Sequence, residues 1–184
     1  MNYIVSGLER SGTSMMMQLL YYGGAPVAFD RSREADEHNP RGYYELEEGK
    51  VISRLMDGSF PLEKFNDQFI KVTAYGLKFL PEGNHSYKVI YMLRDLDETL
   101  DSMEKMSGKV NRDEERPLLE KLNRISMNLM KRREDIEYLT VYYNKVIESP
   151  EEEIERINSF LGGLLDTRSA IKAVDSHLYR NRRL

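Results

Sequence analysis

Near the amino terminus the sequence runs Ile4-Val5-Ser6-Gly7-Leu8-Glu9-Arg10-Ser11-Gly12-Thr13-Ser14. An apolar run meets a glycine loop, and a helix-like segment follows. Two glycines with four residues between them, then two hydroxyl side chains, match the phosphate-cradling turn G-x-x-x-x-G-K-[ST] at every position but one. Thr13 stands where the lysine belongs. In such a loop the backbone N–H groups and the helix N-terminus hold an anion. The lysine adds a point charge at the outer phosphates of a triphosphate, so its absence weakens the case for a Mg-triphosphate. Arg10, two residues before Gly12, supplies a guanidinium instead, which makes forked contacts to a planar or tetrahedral anion. The residues point to an anion other than a γ-phosphate. The competing reading is a tight strand-to-helix turn without a ligand.

The elements that must position this loop are legible in outline. Residues 2–6 form a first strand, and residues 11–22 a helix closed by Gly23-Gly24, where glycine takes the left-handed terminal position. A short strand is expected over 25–29, a polar turn-rich stretch over 30–42, and a helix over 44–56 from the spacing of Leu46, Val51, Ile52, Leu55 and Met56. Residues 68–73 and 87–93 read as buried strands. Asp95 caps the helix that follows, with Glu98 three residues on. Residues 108–116 are charged and contain glycine, which predicts a lid or flexible loop. A long amphipathic helix over 118–136, a strand over 139–143, and a helix capped by Ser149 with Pro150 in its first turn and Gly162 past its end complete the order. Strands alternating with helices predict an α/β fold: a three-layer α/β/α sandwich on a mostly parallel central sheet, of the P-loop nucleotide-binding type.

Bulk composition sets the remaining bounds. The 184 residues suit one domain over 1–184 with one sizeable core. A net charge of -4 argues against nucleic acid or an anionic membrane as partner. Without cysteine there is no disulfide, thiol nucleophile or Cys-ligated zinc, and the three histidines show no metal spacing. No apolar run reaches the ~20 residues that span a bilayer, and the chain enters a strand at once without a leader pattern. A cytoplasmic protein is expected, with no membrane span and no metal.

Arg10-Ser11-Gly12-Thr13-Ser14 resembles the 5′-phosphosulfate loop of the sulfotransferases, written [KR]-S-G-T-[ST]. These enzymes use 3′-phosphoadenosine 5′-phosphosulfate (PAPS) and release PAP. The resemblance implies a second motif, a strand ending in Arg and a helix carrying Ser eight residues on, which bind the 3′-phosphate. The sequence Arg94-Asp95-Leu96-Asp97-Glu98-Thr99-Leu100-Asp101-Ser102 supplies both, without the family's usual proline. Two helical turns separate Ser102 from the strand end, so it can face Arg94 at the carboxyl edge of the sheet, where open α/β folds bind ligands. Residues 140–163 are similar to the family's Y-E-D-L…I-x-x-F-L-G segment, and residues 69–81 to its L-I-K-T-H-L-P segment, so the likeness runs patchily from Tyr3 to Gly163.

The resemblance implies transfer of a sulfuryl group from PAPS to a hydroxyl or an amine, by positioning and electrostatic stabilisation. Glu9, Arg10, Ser11, Gly12, Thr13, Ser14, Arg94 and Ser102 become the candidate cofactor residues, and Arg10 the first candidate to stabilise the transferred group. The C-terminal Arg180 and Arg182 are candidate 3′-phosphate contacts, or simply a solvated basic end. Lys71 aligns with the lysine of the K-T-H segment; it reaches the sulfuryl oxygens or leaves its head in water. The histidine that serves as base in cytosolic members is Thr73 here, which cannot serve. Glu45 is the leading candidate base, with Glu34, Asp36, Glu37, His38 and Glu9 as alternatives. Arg41 and the pairs Tyr21-Tyr22 and Tyr43-Tyr44 are candidate acceptor contacts. The acceptor stays open among sugar, lipid, small phenol and peptide. Two rivals stand beside this reading: a P-loop kinase using Mg-ATP, favoured by Ser14 at the magnesium position, and a non-catalytic nucleotide-binding relative.

Overall fold

The near-continuous apolar runs around Val5 and Val89 mark strands covered on both faces, as parallel strands are. In the computed structural model, which describes residues 1–30, 32–36 and 39–175, they are the two central strands. β1 (Asn2–Gly7), β2 (Phe69–Lys71), β3 (Tyr87–Leu93) and β4 (Ile136–Tyr142) form one sheet in the order β2-β1-β3-β4. All three pairings are parallel. The register sets Gly7 opposite Met92, so the loop after β1 and Arg94 after β3 leave the sheet side by side.

Helices cover both faces. α1 (Thr13–Tyr22) packs with α5 (Tyr143–Glu148), α6 (Pro150–Phe160) and α7 (Thr167–Ala173) on one side. α2 (Val51–Met56), α3 (Leu96–Ser107) and α4 (Arg112–Arg132) cover the other. The run Met15–Leu20 serves the core: Met16, Met17, Leu19 and Leu20 are fully buried beside Val5, Ile90 and Ile154. The three-layer fold is therefore as the alternating pattern predicts. No described helix is long and apolar enough to cross a membrane.

Several local expectations are corrected. Residues 25–29 contribute only a bridge from Val27 to Phe69 rather than a strand. The helix expected over 44–56 is broken: Tyr44, Glu47, Glu48 and Gly49 have positive φ, and only α2 and a 3-10 turn at Glu47–Gly49 are helical. Apolar spacing registers faces, and it is blind to these left-handed residues. The stretch 108–116 is not one continuous loop. Gly108 ends α3 in the left-handed conformation, and α4 begins at Arg112 and runs through Pro117. Acids in its first turn favour that early start. Ile136 belongs to β4. Ser149 occupies the N-cap of α6 without a side-chain cap bond. By contrast, Asp95 caps α3 as expected, accepting from the N–H groups of Asp97 and Glu98. The helices α5 and α7 were not anticipated; α7 carries its own cap, Asp166.

Candidate active site

Two glycines make the β1–α1 loop possible, each for a steric reason. A Cβ on Gly7, at φ 146°, would stand 2.6 Å from the Met92 carbonyl oxygen and 2.5 Å from Ser11 Oγ. On Gly12, at φ 100°, it would stand 2.4 Å from the Tyr143 ring. Arg10 between them also adopts positive φ, 63°. Ser11 is buried and its hydroxyl donates to the Leu8 carbonyl at 2.7 Å, so it closes the loop from within. Glu9, Arg10, Gly12, Thr13 and Ser14 face a cleft of about 420 Å³ above the sheet edge.

The two expected phosphate motifs meet in that cleft. Arg10 Nε donates to Ser102 Oγ at 3.0 Å. Arg94 Nη1 donates to the Arg10 carbonyl at 3.2 Å and its Nε to Glu98 Oε2 at 3.1 Å, while its guanidinium lies 4.4 Å from the Tyr143 ring centre. The Arg94–Glu98 pair is almost wholly buried. Burial, chiefly, lowers the pKa of Arg10, and the neighbouring Arg94 and Arg33 act in the same direction against Tyr43 and Asp36. The site thus concentrates cationic groups that an anion would relieve.

At the other end, Lys71 at the carboxyl end of β2 is 5% exposed. Its three N–H donors find three acceptors: Glu45 Oε1 at 2.7 Å, the Tyr43 carbonyl at 2.9 Å and Ser14 Oγ at 3.0 Å. Burial lowers its pKa, and the Glu45 charge opposes that shift. Of the two readings of Lys71, the one with its head in water is excluded by this burial. Glu45 also receives Arg33 Nη1 at 3.1 Å on its second oxygen. Arg33 in turn lies 3.4 Å over the Tyr43 ring, whose hydroxyl donates to Asp36 Oδ2 at 2.7 Å. Burial and that bond raise the Tyr43 pKa.

Other candidates fall elsewhere. Glu34 is exposed and lies outside the cleft. Asp36 is engaged by Tyr43. Arg41 binds the Ala173 carbonyl and Asp175, tying the segment after α1 to the end of α7. Tyr43 is buried at the cleft, whereas Tyr44 turns away to meet Phe29 and Tyr21. Thr73 lines the cleft. Glu37, His38, Arg180 and Arg182 lie outside the described residues. Among the described residues no group of three or more His, Asp or Glu is placed to hold a metal. Sequence reading missed Arg33, Glu98 and Tyr143. Glu98 was visible only as a capping residue, and no spacing marks the other two.

A family model described as the sulfotransferase domain matches residues 2–182, and the chain belongs to that family. Its reaction class is PAPS-dependent sulfuryl transfer, and the kinase alternative is not favoured. No curated protein matches the chain. Among solved structures, the sulfotransferase domain of the Synechococcus PCC 7002 olefin synthase aligns at TM-score 0.58 with 16% identity, over 100% of this chain and 88% of that one. Retinol dehydratase, solved with androsterone and the inactive cofactor PAP, aligns at TM-score 0.50 with 16% identity, over 96% of this chain and 64% of that one. A sugar kinase from Janibacter sp. HTCC2649 aligns at TM-score 0.46 with 15% identity, over 91% of this chain and 96% of that one, too weakly to bear on the fold. The first two place this chain on the same fold.

Proposed function

We propose that this chain sulfates a hydroxyl group with Glu45 as general base, and that the cleft between the β1–α1 loop and α3 receives PAPS. The observation that carries this reading is the position of Lys71. One ammonium touches both Ser14, in the phosphosulfate loop, and Glu45, the candidate base. A group transferred beside Lys71 would therefore pass between loop and base.

The donor set fits PAPS. Gly7 and Gly12 allow the tight β1–α1 turn, in which a Cβ would strike Met92 and Ser11 or the Tyr143 ring, and such a turn lets the backbone approach an anion. Arg94, fixed by Glu98 and Tyr143, lines the same cleft as Ser102 and offers its guanidinium to a 3′-phosphate. A cleft of about 420 Å³ is of the size that holds a nucleotide-like ligand. Bound there, PAPS supplies the sulfuryl group. Arg10 and Lys71 then offset the negative charge that gathers on the peripheral and bridging oxygens. For Lys71 this means exchanging one of its three present acceptors for a sulfuryl oxygen. Glu45 accepts the proton of the acceptor hydroxyl. We read residues 1–184 as one working domain, active in the cytoplasm, and the acceptor as a small molecule, glycan or peptide.

Thermal shift with PAP, Mg-ATP and 5′-AMP tests the donor. At 100 times the dissociation constant, binding adds ~2.7 kcal/mol. At ~2–4 °C per kcal/mol this is a shift of roughly 5–11 °C. A shift with PAP and none with Mg-ATP is expected; the reverse sinks the reading. The base is tested by transfer from radiolabelled PAPS to a panel of phenols and sugars. Glu45→Gln should abolish transfer while keeping the PAP shift, and an active Glu45→Gln enzyme assigns the base elsewhere.

A further inference from the structure

Tyr44 separates two of the three groups that grip Lys71, and it holds them by an unusual route. Its φ is 52°, a conformation that a bulky side chain rarely takes. Such residues persist where their surroundings hold them, and they gather at functional sites. Here the left-handed residue turns the chain so that the carbonyl of Tyr43 and the carboxylate of Glu45 reach the same ammonium, at 2.9 and 2.7 Å. The Tyr44 ring leaves the cleft on the opposite side. It lies 4.7 Å from the Phe29 ring and 5.8 Å from the Tyr21 ring. Tyr21 packs edge-on against both Phe29 and Tyr22. The chain is pinned again just after Phe29, where the Asp30 N–H donates to the Glu45 carbonyl at 3.0 Å.

This aromatic cluster is otherwise hard to explain. Tyr21 and Tyr22 are about half exposed, 46% and 51%, and so contribute little to the core. What they do is give the Tyr44 ring a fixed seat on the last turn of α1. The same helix carries Ser14, the third partner of Lys71, near its other end. One helix therefore references both sides of the ammonium.

We propose that Tyr44 is a positioning residue for sulfuryl transfer: its left-handed backbone, seated by its ring against Phe29 and Tyr21, sets Glu45 and the Tyr43 carbonyl around Lys71. The proposal rests on the reading that Lys71 and Glu45 serve the transfer. It predicts that loss of the ring frees Glu45 without disturbing the backbone of the nucleotide loop, which Gly7, Ser11 and Gly12 shape. Misplacement of about 1 Å is enough to cost up to ~100-fold in rate.

The test uses three variants and a signal that does not depend on the acceptor. In protein labelled with 15N-lysine, the Lys71 ammonium, buried and triply bonded, gives a proton-coupled resonance protected from exchange, assigned by its loss in Lys71→Arg. Tyr44→Phe keeps the ring and should keep the resonance. Tyr44→Ala loses the ring. Tyr44→Gly also loses it, but keeps a backbone at ease with positive φ. Both should lose the resonance and about 10- to 100-fold in kcat, with an unchanged KM for PAPS and an unchanged PAP-induced thermal shift. A wild-type resonance and kcat in Tyr44→Gly overturn the role of the ring. A diminished PAP shift in both ring-less variants overturns the proposal too, since it marks a merely structural residue. Activity in Glu45→Gln would sink the base assignment alone, because the Lys71 resonance in the Tyr44 variants is read independently.

Discussion

Lys71 Nζ lies 2.7 Å from Glu45 Oε1, and both side chains are withdrawn from water, at 5% and 14% exposure. β2 delivers the lysine and an irregular segment after α1 delivers the glutamate. Their meeting turns a nucleotide-binding edge into a candidate transfer site, since Ser14 on α1 is the lysine's third partner.

The first prediction concerns pH. Burial holds the Lys71 pKa below the ordinary lysine range, with Arg33 and Arg10 acting in the same direction and Glu45 against it. Between the lowered folded value and the unfolded ~10.4, the unfolded chain binds more protons. In that window this group makes stability rise with pH, as the cost of burying a charge is relieved. Turnover should fall as pH rises through the lowered folded value, because the neutral amine no longer offsets sulfuryl charge. Lys71→Arg keeps its charge to higher pH, so the alkaline fall in kcat should move upward. An unmoved alkaline limb in that variant would place its origin in another group.

A second prediction separates binding from folding at the 3′-phosphate end. Ser102→Ala removes one buried hydroxyl that accepts from Arg10. PAP affinity should weaken about tenfold, ~1.4 kcal/mol, with little change in Tm. Arg94→Ala removes the partner of Glu98, which is 4% exposed. Breaking such a pair costs ~3–5 kcal/mol, a fall of roughly 6–20 °C in Tm for a domain of this size. Calorimetric titration and melting of the two variants check this. Equal melting temperatures would mean that Glu98 is stabilised without Arg94.

What the sequence reveals divides along physical lines. The sheet was legible because parallel strands buried on both faces write their burial as unbroken apolar runs, as in Tyr87–Leu93. The phosphate loop was legible because its geometry needs residues without a Cβ at Gly7 and Gly12. Arg94 and Ser102 were found because the resemblance to the sulfotransferases implies an arginine at a strand end with a serine eight residues on. The acceptor side was not legible in the same way. Tyr44, Glu47 and Glu48 take left-handed conformations that no residue type there demands, and they broke an apparently helical apolar pattern. Arg33 reaches Glu45 across a turn, a contact set by three-dimensional packing rather than by local spacing. Tyr143 serves the site through its ring face under Gly12 and Arg94, for which a strand-like sequence gives no sign.

Gly12 and Gly24 form a controlled pair for a third prediction. Both have positive φ, 100° and 82°. A Cβ on Gly24 meets nothing within 4 Å, whereas one on Gly12 meets the Tyr143 ring at 2.4 Å. Gly24→Ala should cost only the backbone strain, ~1–2 kcal/mol, and leave the PAP-induced shift intact. Gly12→Ala adds ~1–3 kcal/mol of overpacking and pushes aside the ring on which Arg94 rests, so its PAP shift should vanish. Parallel thermal melts with and without PAP read both effects. Equal losses from the two variants would show that the Tyr143 ring yields freely.

The final prediction ties a helix cap to ligand affinity. Asp95 Oδ1 accepts from the N–H groups of Asp97 and Glu98, at 2.9 and 3.0 Å. It thereby fixes the first turn of α3, which carries the Glu98 carboxylate to Arg94. Asp95→Ala should cost ~0.5–2 kcal/mol, or roughly 1–8 °C in Tm. Because the fraying turn holds the arginine's partner, PAP affinity should fall several-fold as well, although Asp95 is outside the residues lining the cleft. Asp95→Asn preserves a competent cap and should restore both quantities together. If Asp95→Ala lowers Tm while PAP binds as before, Arg94 keeps its place without the cap, and the order of α3's first turn is irrelevant to the phosphate site.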